Sequence, residues 1–150
     1  AVVGRNGPME RFGQTARYSN TFAGNTVGIA CADAVLTILQ RDRILDSVAA
    51  VSQRLRRGLD DIAAQMPGIR AIRNAGLFFG VDIGLDNSLP AQRRAMALDL
   101  VNTMRDNGVL ISTTSANEDA LKIRPPLVCQ NEHADQFLAA FKSALAKVIA

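Results

Sequence analysis

The sequence predicts an α+β fold, with helices packed on a small, mostly antiparallel sheet. Three observations predict it. Apolar residues recur at helical intervals in four stretches, short runs of β-formers lie between the later stretches, and turn residues split those runs into separate strands. The chain has 150 residues, 48% hydrophobic and 21% charged, which suits one domain or one domain with a fragment of another. A core of useful size is feasible at this length. The apolar content excludes intrinsic disorder, and the longest apolar runs fall far short of a membrane span.

Residues 1–26 hold no sustained period and contain Gly4, Gly7, Pro8, Gly13 and Gly24, so they read as loops around short elements. Val27, Ala30, Cys31, Ala34, Val35, Ile38 and Leu39 then form one helical stripe. Arg41-Asp42-Arg43 is the expected corner before a second, running Ile44, Leu45, Val48, Val51, Leu55, Leu59 and Ile62. Pro67-Gly68 ends it, because proline cannot continue the ladder and glycine permits a turn. Ile69–Ile72 and Leu77–Ile83 read as strands split by Asn74-Ala75-Gly76. Pro90 suits the first turn of a helix that uses Met96, Leu100, Val101 and Met104 and stops at Asn107-Gly108. Val109-Leu110-Ile111 is expected as a strand, Ser112 to Asp119 as a polar loop, and Leu121–Arg124 as a half-buried strand stopped by Pro125-Pro126. Asn131 is placed to cap a final helix with Phe137, Leu138, Phe141, Leu145 and Val148 inward.

Charge and cysteine content narrow the function. Residues 1–74 carry ten Arg against six acids, and residues 75–150 carry seven basic residues against eight acids. The mild excess lacks the clustered cations and stacking aromatics of nucleic-acid binders, and Arg54, Arg56 and Arg57 read as a solvated helix face. Neither nucleic acid nor a membrane is an expected partner. Cys31 and Cys129, with no secretory signal ahead of them, do not make a disulfide framework, so an intracellular, cytoplasmic protein is expected.

Most chemical signatures are missing. His133 is the one histidine, so no metal-ligand spacing or Ser-His-Asp triad is offered, and it reads as a residue packed or exposed near a helix start. Dinucleotide and P-loop fingerprints are absent as well. Two constellations remain. Ser19 to Asn25 sets hydroxyls and free amides directly ahead of a helix, which suits an anion, although the chemistry alone favours a plain helix cap with a glycine turn. Lys122 and Arg124 lie two apart on a strand, so both are expected on one face, where they could hold a carboxylate or phosphate or simply meet solvent.

Five segments occur together in one order: Thr21-Phe22-Ala23-Gly24-Asn25, an Ala/Val-rich helix, Asn74 to Val81, Gly108 to Ile111, and Lys122-Ile123-Arg124-Pro125-Pro126-Leu127. Together they resemble the C-terminal part of class-III pyridoxal-phosphate (PLP) aminotransferases. The resemblance runs the length of the chain. It implies a fold-type-I enzyme, a homodimer with active sites between subunits, which transfers an amino group from an amine or amino acid to a 2-oxo acid. It also implies that residues 1–35 form the tail of the large cofactor-binding domain, with its phosphate-binding loop, and residues 36–150 the C-terminal small domain.

Under this resemblance Ala1-Val2-Val3-Gly4 looks like the stretch shortly after the family's Schiff-base lysine. The first lysine of this chain is Lys122, so the chain is expected to be a C-terminal piece that does not transaminate alone. Thr21 matches the family threonine that binds the cofactor phosphate of the neighbouring subunit, and Gly24 and Asn25 match the turn that holds it. Thr26 stands where the family usually has proline. Lys122 matches a position where several members carry an arginine that pairs with the substrate carboxylate; lysine supplies a point charge instead of a fork. Arg124 could substitute, though the family match gives it no such role. The run Leu121 to Pro126 is more like members acting on phosphorylated or unusual amines than like the ornithine-type enzymes. A PLP-dependent phosphoamine lyase and a non-catalytic dimerisation or binding module are the competing expectations.

Overall fold

The computed structural model describes residues 4–150, so the expectation placed on Ala1-Val2-Val3 lies outside the described residues. The chain divides into two compact units, Ala1–Ile38 and Leu39–Ala150.

In the first unit, residues expected as loops contain a ten-residue helix, α1 (Asn6–Thr15). Pro8 falls in its first turn, where a backbone N–H has no intrahelical acceptor to lose, and Thr15 Oγ1 donates to Arg11 O at 2.7 Å near its end. Glycines at 7 and 13 hid this helix from a reading based on propensity. The next helix, α2 (Thr26–Arg41), carries the expected stripe, yet none of its residues is buried. Val27, Ile29, Val35 and Leu36 are all more than half exposed.

The second unit holds the core. Arg43, in the left-handed region at φ 50°, makes the corner into α3 (Ile44–Gln65). Val48, Val51, Leu55, Leu59 and Ile62 recur every three or four residues and are buried along one side of this helix. Gly68, at φ 109°, turns the chain into β1 (Ile69–Ala75), which pairs antiparallel with β2 (Phe78–Ile83). The strands run further into the expected break than composition suggested: Ala75 pairs with Phe78, so only Gly76 and Leu77 form the hairpin loop. Gly76 has φ 53°, a conformation that glycine adopts at no steric cost.

Pro90 opens α4 (Pro90–Asp106) as expected, and the Gln92 side chain accepts the Leu89 N–H at 2.8 Å. Gly108, at φ 81°, closes the helix with Val109 N–H donating to Met104 O. The expected strand at Val109-Leu110-Ile111 is absent; Leu110 is 84% exposed, and pairing begins three residues later in β3 (Ser112–Thr114). Those apolar residues lead the chain out of the helix cap before it meets a partner edge at Ser112↔Lys122. The next strand, β4 (Ala120–Ile123), completes a four-stranded antiparallel sheet in the order β1-β2-β4-β3.

The last helix, α5 (Asn131–Ile149), is capped by Gln130 and not by Asn131: the Gln130 N–H donates to His133 Nδ1 at 3.0 Å. Its inward side carries Phe137, Phe141 and Leu145, and the two phenylalanines stack with centroids 5.8 Å apart. One sheet face, with Phe79, Val81 and Ile83 of β2 and Leu121 and Ile123 of β4, meets α3, α4 and α5 in a single apolar cluster. The α+β expectation holds, and the sheet is wholly antiparallel.

Candidate functional site

Three places carry the residues singled out by sequence, one in the first unit and two in the second. The first is the turn ahead of α2. Asn20 organises it, accepting the Phe22 N–H on its Oδ1 at 2.9 Å and the Ala23 N–H on its carbonyl at 3.0 Å. Gly24 follows at φ 73°. Asn25 then caps α2, its Oδ1 accepting the Gly28 N–H at 3.0 Å.

These bonds leave the Thr21 hydroxyl and amide without a protein partner among the described residues. The Thr26 and Val27 amides, as the first of a helix, have no intrahelical acceptor either. A hydroxyl, several amides and the positive end of a helix dipole thus sit together on an exposed turn. That donor set fits the oxygens of a phosphate monoester. The plain helix cap weighed for this run is made by the Asn25 amide oxygen.

The second place is the sheet face turned away from the core. Lys122 of β4 stands opposite Gly80 of β2, which in turn stands opposite Arg73 of β1. Arg73, Phe78, Gly80, Thr114 and Lys122 border a cavity of about 280 Å³. The Arg73 guanidinium crosses over Gly80 and grips both oxygens of Asp82, at 2.5 Å each. Asp82 thereby holds Arg73 strongly protonated, the hydrogen bond contributing most. Sequence reading passed over Arg73 and Asp82; period-2 alternation places Gly80 and Asp82 on one face, but only the register reveals that Arg73 reaches them.

Arg124 lies past the end of β4, and the expected sharing of one face with Lys122 does not hold. It borders a different cavity, of about 520 Å³, with Leu55, Val109, Ile111, His133 and Phe137. His133, near the helix start as expected, spends its Nδ1 there on the Gln130 N–H. Cys129, also on this cavity, is pushed above its ordinary pKa by burial, which disfavours the reactive thiolate.

Among the described residues the fold is a five-helix, four-strand α+β arrangement, and comparisons with known proteins name the family it belongs to. A family model for class-III aminotransferases matches residues 1–145, and the chain belongs to that family. It is 31% identical over 137 residues to the diaminobutyrate–2-oxoglutarate aminotransferase of Rhizobium meliloti, covering 87% of this chain and 29% of that protein. It is 29% identical to an alanine–glyoxylate aminotransferase 2-like protein of Drosophila melanogaster, covering 88% of this chain and 27% of the relative. Among solved structures it resembles an Arthrobacter phospholyase in complex with phosphoethanolamine, with TM-score 0.78, 36% identity, and coverage of 92% of this chain and 33% of that one. The chain thus spans roughly 27–33% of the length of these relatives. Among the described residues no helix is long and apolar enough to cross a membrane.

Proposed function

We propose that this chain forms the C-terminal part of a PLP-dependent aminotransferase that moves an amino group from an amine or amino acid to a 2-oxo acid. The observation that carries the proposal is the Thr21 turn, whose hydroxyl and amide are unspent in a chain belonging to the class-III family. When bound, PLP supplies an electron sink for the carbon beside the transferred amine. Thr21 donates its hydroxyl and amide to the phosphate, Gly24 lets the turn close, and Asn25 anchors the turn to α2. These residues bind and orient and take no part in proton transfer.

Lys122 offers its ammonium to an anionic group of the substrate, and Arg124 is a second substrate cation in the same proposal. Residues 1–35 belong to the tail of the large domain and residues 36–150 to the small domain; the division of the chain after Ile38 supports this. The enzyme is proposed to be a cytoplasmic homodimer in which Thr21 serves the neighbouring subunit's cofactor. The lysine that attaches the cofactor must come from outside residues 1–121, which contain none.

A phosphoamine lyase is the second reading. It is favoured by the 36% identity to the phospholyase and by the likeness of the run Leu121 to Pro126 to members acting on phosphorylated amines. One experiment separates the two. The complete enzyme, loaded with PLP, is given a neutral amine, an amino acid and O-phosphoethanolamine, with and without a 2-oxo acid. Amino transfer that requires the 2-oxo acid supports the aminotransferase. Phosphate release without an acceptor supports the lyase, and no turnover of any donor overturns both.

A further inference from the structure

We propose that Arg73 is a positioning residue for Lys122: by occupying both oxygens of Asp82 it keeps the Lys122 ammonium unpaired and available to an anionic group in the cavity on the outer sheet face. The inference rests on the proposed substrate role of Lys122.

The register sets up the competition. Gly80 sits directly between Arg73 and Lys122, and Asp82 lies two residues further along the same face of β2. Asp82 is therefore diagonal to both cations, a separation of about 7–8 Å between backbones that long side chains span. At Gly80 no side chain intervenes; a Cβ there would lie 3.6 Å from Arg73 Nη2, so the guanidinium rests over the bare strand. Arginine wins the carboxylate because its planar fork matches two oxygens, whereas an ammonium offers a single point of charge.

Lys122 is left without an ion pair or hydrogen bond among the described residues. The acids of the neighbouring loop cannot serve it, since Glu118 pairs with Arg94 and Asp119 with Arg93. Lys122 is half-buried and borders the same cavity as Arg73, Gly80 and Thr114. A carboxylate or a phosphate group of the substrate would meet that charge without first displacing a protein carboxylate.

The test uses the complete PLP-loaded enzyme, so that the cofactor phosphate site is filled, and calorimetric titration with inorganic phosphate and, separately, acetate. Arg73→Met frees Asp82 to pair with Lys122 and should weaken anion binding about two- to fivefold, the size of an exposed ion pair. Arg73→Met/Asp82→Asn should return to wild-type affinity, which loss of a purely structural ion pair would not do. Asp82→Asn alone, which needs no loss of the arginine, should bind at least as tightly as wild type. Whichever of the two anions binds more tightly identifies the substrate group. Unchanged affinity in Arg73→Met, no rescue in the double variant, or weakened binding in Asp82→Asn overturns the proposal while leaving Lys122 in place. Wild-type affinity in Lys122→Ala, or no anion binding by the wild type, removes the substrate role of Lys122 and this inference with it.

Discussion

Arg93 of α4 reaches across to the loop between β3 and β4 and donates its Nε–H to Asp119 Oδ2 at 3.2 Å, while its Nη1 donates to Ser88 O at 3.1 Å. Only 18% of the Arg93 side chain and 15% of the Asp119 side chain are exposed, the most sheltered ion pair among the described residues. Ser115 completes the arrangement, its Oγ–H donating to Asp119 Oδ1 at 2.7 Å.

That geometry predicts an acid-sensitive loop. The Ser115 hydroxyl, and after it the Asp119 backbone amide and the Arg93 charge, hold the Asp119 carboxyl below its ordinary range against the opposing effect of desolvation. A depressed folded pKa means that the contribution is present above the unfolded value of about 3.9 and is lost as pH falls through the folded one. Ser115→Ala should cost about 0.5–1.5 kcal/mol near neutrality, and its gap from wild type should narrow in acid as the Asp119 carboxyl takes up its proton. Urea denaturation of both proteins near neutrality and in acid checks this, and a gap that does not narrow contradicts it.

The core makes a separate demand. Phe79 is fully buried at the centre of the sheet face that meets the helices. Phe79→Ala should destabilise by about 3–5 kcal/mol, whereas Phe78→Ala, one residue away on the exposed face, should cost far less. Comparable losses in the two variants, measured by denaturant unfolding, would show that the side of the sheet has been misassigned.

The cavities separate the two proposed substrate cations. Lys122→Ala should raise KM for an acidic donor and spare a neutral amine, because Lys122 borders the outer-face cavity. Arg124→Ala should alter KM only if substrate reaches the larger cavity beside His133. Kinetics of each single variant with one acidic and one neutral donor decide the matter; equal losses on both donors, or none, remove that residue from the substrate site.

Much of the fold was legible because the later helices and strands obey simple periods. The α3 stripe from Val48 to Ile62 and the alternation of Phe79, Val81 and Ile83 mark buried faces directly. The failures have local causes. α1 contains two glycines and a proline but places the proline where a helix tolerates it. β3 is built of Ser and Thr and gains its pairing from the β4 edge, while the more apolar Val109–Ile111 beside it pairs with nothing. Gln130 caps α5 through its backbone and the His133 ring, a partnership that side-chain capping preferences do not encode. Of the candidate sites, the Thr21 turn could be read as a contiguous run. The Arg73–Asp82 pair depends on strands meeting in register across Gly80, which no single run of sequence displays.

If the turn ahead of α2 holds the phosphate of PLP, the dissociation constant of PLP for the complete enzyme depends on Thr21. A hydroxyl donating to a charged oxygen contributes about 1.5–3 kcal/mol, so Thr21→Ala should weaken PLP binding about ten- to a hundredfold. Thr21→Ser, which keeps the hydroxyl, should lose much less. Equal affinity in wild type and Thr21→Ala would leave the turn as nothing more than the cap of a helix.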